Sequence, residues 1–234
     1  MDERTKRNLW IVAGAAVIIA LVAHHNIKEQ AIIIFCAIVP SIILHEVSHG
    51  WVAYAFGDDT AKRAGRLNLN PVVHVDPVGT LLVPALLALS TVGVFGWAKP
   101  VPVNVGRLRS PRNEGVLVSL AGPLTNAVLA GLFGWIFVSF YGSGFTVPTA
   151  LTVLGQLVFW LSFVNVGLCV FNMIPVPPLD GSHVLRHFLS DSVRRVYDSI
   201  GIFGLLALVF LAPGLLNSVI SPPIDYFNSI LTRF

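Results

Sequence analysis

The stretch Ile42–Tyr54, IILHEVSHGWVAY, decides how this chain is read. It sets His45, Glu46 and His49 inside an otherwise apolar run. Residues four apart share one face of a helix, so both imidazoles can aim a ring nitrogen at one ion. Glu46 projects about 100° round from His45, within reach of a water held by that ion. Two imidazole donors and an adjacent carboxylate base are the parts of a zinc hydrolase site. From Gln30 to Gly57, Glu46 is the only formally charged side chain. An ionisable group inside a membrane-length apolar run is costly and marks function by default. The bland reading is a Glu hydrogen-bonded between helices. The two His at ligand spacing weigh against it.

The whole chain agrees with a membrane setting. Of its 234 residues, 55% are hydrophobic and 12% charged, and mean hydropathy is +0.77. A soluble domain carries about 25% charged residues. Composition therefore excludes a soluble zincin and predicts an all-α polytopic membrane protein, residues 1–234 forming one domain. The pI near 9.1 does not imply nucleic acid, because the basic residues sit at the ends of apolar runs as topology signals. Cys36 and Cys169 lie in apolar runs and read as small core residues.

Five spans are expected, near 9–27, 30–56, 115–140, 150–172 and 197–220. Arg4, Lys6 and Arg7 precede the first and place the N-terminus in the cytoplasm. His24 and His25 end that span as interfacial residues. Pro40 removes one backbone bond from the second span and makes a bend there plausible. The apolar stretch 77–97 is broken by Gly79, Pro84, Gly93 and Gly96 and reads as re-entrant. Arg66–Asn70 alternates at period two, and Lys99–Val105 is held extended by Pro100 and Pro102. Both suit short edge strands able to hold an extended peptide.

Gly115–Leu179 contains no Asp, Glu, Lys or Arg over 65 residues and holds two spans. The second ends in Asn172-Met-Ile-Pro-Val-Pro-Pro-Leu-Asp180-Gly181, where three prolines in four residues must break the helix. Non-helical backbone at that depth is tolerated where it is buried or lines a wet cavity. Two His leave a zinc site one protein ligand short. Asp180 is the best candidate on burial. His74, Asp76, His183 and His187 are the other capable groups. Asn126 reads equally as a site residue or as an interhelical hydrogen bond beside Gly122-Pro123. His74 and Asp76 read as a loop cap held by the Asp, or as a second metal or gating site.

Four segments, HEVSHG (45–50), NPVVHVDPVGT (70–80), AGPLTN (121–126) and NMIPVPPLDG (172–181), occur in an order and spacing that resemble the site-2 protease family. That family comprises intramembrane zinc metalloproteases. The resemblance covers most of the chain and implies one zinc per chain held by His45, His49 and Asp180, with Glu46 as base. It implies that Asn172 helps bind the substrate carbonyl or its oxyanion. The implied substrates are single-pass membrane proteins cleaved in or near their transmembrane segments. The implied location is the cell membrane, with the site toward the cytoplasm. Many relatives carry a PDZ or CBS domain, for which this chain has no room. The rival reading is a zinc-handling transporter, or an inactive relative that binds membrane partners. Transporters usually show internal repeats and paired broken helices, and neither is seen here.

Overall fold

The computed structural model describes residues 29–76, 99–141 and 152–231. These divide into two units. The smaller includes the described residues 29–32, 70–76 and 99–100; the larger comprises residues 33–69 and those from 101 onward.

Helix α1 (Glu29–Ala55), which from Ile33 onward belongs to the larger unit, runs unbroken through Pro40. Its inner face is a stripe at four-residue spacing: Ile33, Ala37, Ser41, His45, His49 and Ala53 are all buried. Its outer face carries exposed Ile32, Phe35 and Trp51. The inside is therefore smaller and more polar than the outside. That is the pattern of a helix whose solvent is lipid and whose packing relies on small and hydrogen-bonding residues. Gly57, at φ 105°, ends the helix in a conformation that favours glycine, and the Asp58 N–H turns back to Ala53 O at 2.9 Å. The one-turn helix α2 (Thr60–Arg63) follows.

Helix α3 (Pro111–Tyr141) starts with Pro at its first position, and Glu114 accepts a hydrogen bond from the Ser110 N–H. It is 31 residues long, enough to cross a bilayer core of about 30 Å. Helix α4 (Val153–Asn172) is capped by Thr152, whose hydroxyl accepts from Gly155 N–H. The contacts Asn126–Asn165, Ser162–Ala130 and Phe137–Phe159 run in opposite senses along the two sequences, so α3 and α4 are antiparallel. The contacts His49–Val118 and His45–Asn126 make α1 antiparallel to α3 in the same way.

The proline run then breaks the helix as expected. Residues 173–179 are irregular, and helix α5 (Asp180–Phe188) begins at the acid itself. Ile174, Leu179 and Leu205 form a small core over this break, with Phe171, Val176, Leu208 and Ile220 packed around it. Leu205 and Leu208 come from helix α6 (Asp191–Leu211) and Ile220 from helix α7 (Pro213–Leu231).

Among the described residues, α1, α3 and α4 are long and apolar enough to cross a membrane. They correspond to the spans expected at 30–56, 115–140 and 150–172. The span expected at 197–220 falls on α6 and α7, which pass as spanning only together and are bent by 86° at the break between them, a broken span or a re-entrant loop. Gly201 (φ 49°, ψ −143°) leaves helical geometry, and Pro213 starts the new helix, as a residue without an N–H readily does. The expected segments at 9–27 and 77–97 lie outside the described residues.

The edge strands expected near 66–70 and 101–105 are absent from the described residues. In the second segment two backbone donors go to carboxylates. Val101 N–H donates to Glu46 Oε2 at 3.0 Å and Asn104 N–H to Asp58 Oδ2 at 2.6 Å. Val105–Arg107 then closes into a 3-10 turn.

Candidate metal centre

His45 and His49 lie one turn apart near the C-terminal end of α1, with their Nε2 atoms 3.1 Å apart. The break after α4 brings Asp180 to them. Its Oδ2 lies 3.0 Å from His45 Nε2 and 3.4 Å from His49 Nε2. Among the described residues these three form the one cluster of at least three His, Cys or acidic ligands, with donor atoms within 4.8 Å of one another. Both His are buried.

The opposite edge of each ring fixes its tautomer. His49 Nδ1 faces Val118 O at 2.6 Å, and a carbonyl can only accept. His45 Nδ1 faces Asn126 Oδ1 at 2.5 Å, again an acceptor. Each Nδ1 therefore carries the hydrogen, and each Nε2 presents a lone pair inward. Asp180 Oδ2 is buried without a hydrogen-bond donor. Three acceptor atoms converge with no donor among them, a costly arrangement that a cation relieves. Two imidazole nitrogens and one carboxylate oxygen, each imidazole anchored at its far nitrogen, suit zinc with a fourth position left for water.

Glycines make the approach possible. A Cβ on Gly181 would run into the backbone of Met173 and Ile174, so only glycine lets the start of α5 fold against the end of the break. Glu46 follows His45 on α1, and its carboxylate is tethered to Val101 N–H. Asn172, the last residue of α4, donates to Leu168 O at 3.0 Å, one turn back in its own helix. His187 lies elsewhere, in reciprocal bonds with Arg112: its Nδ1 meets Arg112 O at 3.1 Å, and Arg112 Nη2 donates to His187 O at 3.0 Å. His74, buried in a 3-10 helix of the smaller unit, offers its carbonyl to Lys99 N–H.

Asn126 does make an interhelical hydrogen bond, but to His45 itself. Its two readings from sequence thus merge. Asn165 was legible only as an amide within a charge-free block, and Ser41 only as a polar residue on the His45 face. Both prove to be buried partners of the site.

A bundle of membrane-length helices that buries a His-His-Asp donor set beside a glutamate is built as a membrane-embedded metallohydrolase. Residues 145–212 match peptidase family M50. "Putative zinc metalloprotease YwhC" of Bacillus subtilis is 39% identical over 176 residues, covering 74% of this chain and 77% of that protein. "Putative zinc metalloprotease Rip2" of Mycolicibacterium smegmatis is 31% identical over 206 residues, covering 86% and 76%. "Putative zinc metalloprotease MJ0611" of Methanocaldococcus jannaschii is 29% identical over 161 residues, covering 66% and 70%. No solved structure matches the chain. The chain belongs to peptidase family M50, the site-2 proteases, and with it to the zinc-dependent proteases.

Proposed function

We propose that the protein hydrolyses peptide bonds within or beside transmembrane segments of single-pass membrane proteins, in the manner of regulated intramembrane proteolysis. The observation that carries this reading is the convergence of His45 Nε2, His49 Nε2 and Asp180 Oδ2 on one point inside a membrane-length helix bundle. His45, His49 and Asp180 would hold the zinc. When bound there, zinc supplies polarisation of the scissile carbonyl and a water of lowered pKa.

The chain's own residues do the rest. Glu46 takes the proton from the attacking water and returns it to the leaving amine. Its bond from Val101 N–H occupies Oε2 and leaves Oε1 for that proton. Asn172 would steady the substrate carbonyl by turning its amide from Leu168 O toward the cleft. A substrate helix must unwind to expose its carbonyl, so cleavage falls where a helix is weak. With the N-terminus in the cytoplasm, the His pair at the far end of α1 faces the cytoplasmic side.

The test is cleavage of a generic single-pass substrate by detergent-purified protein, with and without a zinc chelator. Chelator-sensitive cleavage inside the transmembrane segment is the expected result. Zinc binding without any hydrolysis would favour the transporter or partner-binding reading.

A further inference from the structure

Behind His45 runs a chain of hydrogen bonds whose direction is forced from its far end. Asn165 on α4 donates through Nδ2 to Leu161 O at 2.7 Å and to Ser41 Oγ at 2.8 Å. The Ser41 hydroxyl donates to Ala37 O at 2.7 Å. Leu161 O and Ala37 O are backbone carbonyls and can only accept. Asn165 must therefore turn its NH₂ toward Leu161 and Ser41, and its Oδ1 toward α3. There it accepts from Asn126 Nδ2 at 2.6 Å. Asn126 has then committed its NH₂ and offers Oδ1 to His45 Nδ1. Amide oxygens and nitrogens are hard to tell apart by shape alone. Here two carbonyls settle both amides.

All three relay side chains are essentially inaccessible: Asn126 and Asn165 at 0% exposure, Ser41 at 1%. Burying two amides and a hydroxyl between membrane helices is costly unless every group is paired, and the bonds above pair each of them. A bundle held by packing alone has no need of such a relay.

We infer that Asn165 is a positioning residue for the metal centre: through Asn126 it dictates which nitrogen of His45 carries the hydrogen. Without it the Asn126 amide is free to flip, presenting NH₂ to His45 and favouring the tautomer whose Nε2 is protonated. That ring cannot ligate. The inference rests on the metal reading proposed above and reaches one residue further, to a group remote from substrate and ion alike.

Zinc affinity of the full-length protein in detergent, measured by competition with a chelator of known affinity, tests it. Wild type reports on the metal reading itself; if it takes up no zinc, that reading falls and the relay falls with it. Asn165→Ala should bind zinc about 10–100-fold more weakly, the usual effect of losing a group that orients a ligand. Asn165→Leu is the variant to use if the alanine form does not fold. Ser162→Ala is the matched control. Ser162 is equally buried on α4 and bonds Ala130 O of α3, yet it lies off the relay. It should leave zinc affinity unchanged.

The decisive arm is the Asn126→Asp background. A carboxylate accepts at either oxygen, so Asp at 126 fixes the His45 tautomer without help. There, Asn165→Ala should cost no further affinity. An equal loss in both backgrounds would mean that Asn165 serves packing alone and would overturn the inference. So would an Asn165→Ala protein no weaker than Ser162→Ala.

Discussion

Gly122 of α3 lies directly against the ligating edge of His45. A Cβ at that position would stand 2.5 Å from His45 Nε2 and also meet His49 Nε2. The backbone of α3 thus forms the wall of the metal pocket, and hydrogen is the only side chain with room. Gly122→Ala should push the imidazoles out of line. We expect zinc affinity to fall sharply and the metal-free protein to lose about 1–3 kcal/mol, as overpacked interiors do. Metal analysis and thermal melting would check this, and full zinc with an unchanged Tm would count against the pocket wall.

Glu46→Gln should keep zinc and lose hydrolysis. Gln can still accept from Val101 N–H, so the local geometry survives while basicity does not. General-base loss typically costs about 10²–10⁴-fold in rate. Zinc content and turnover measured on the same preparation separate the two effects. Turnover close to wild type would show that another group takes the proton.

Asp180→Ala should weaken zinc while leaving His45 and His49 in place, because both rings are anchored from behind by Asn126 and Val118. Chelator competition would show a site that strips more readily than wild type. Equal affinity would remove Asp180 from the donor set.

The His pair and its base were legible because helical spacing alone brings them together, and the prolines of 175–178 announced the break that delivers Asp180. What sequence could not supply was the partner of each buried polar group. Asn126 and Asn165 lie 39 residues apart and Ser41 lies on a third helix, so the relay exists only once three helices pack. The edge strands expected near 66–70 and 101–105 are not seen among the described residues. Alternation and prolines fix an extended backbone, but a strand also needs a neighbour, and here the donors of Val101 and Asn104 are taken by carboxylates. The bend between α6 and α7 was marked in sequence by Pro213-Gly214, though its 86° depends on what the two helices pack against.

Asp58 should make stability depend on pH in the acid range. Burial alone would raise its carboxyl. Hydrogen bonds from the Thr60 hydroxyl, Asn104 N–H and Thr60 N–H, with Arg107 nearby, outweigh burial and hold it below the ordinary carboxylate range. A depressed folded value means the stabilisation is present above the unfolded pKa of about 3.9. It is lost as pH falls from there through the folded value. Melting temperature should therefore drop below about pH 4, and Asp58→Asn should flatten that drop while lowering stability at neutral pH. A wild-type acid limb identical to that of the variant would contradict this.

The final prediction concerns sidedness. Arg109 Nη2 donates to Ala55 O, and Arg109 N–H to Phe56 O at 3.3 Å. The start of α3 is thereby fastened to the end of α1, so both lie on one side of the membrane. Helices α3 and α4 then cross out and back, which returns Asp180 to that side, as its contact with His45 and His49 requires. Residues 57 and 110 therefore lie on one face. Single cysteines placed at Arg63 and Arg107, both substantially exposed, should react with a membrane-impermeant reagent from the same face. By the positive-inside rule, the basic residues around them lead us to expect labelling from the cytoplasmic face. Labelling of the two positions from opposite faces would refute the shared face and, with it, the path of α3 and α4 that brings Asp180 back to His45 and His49.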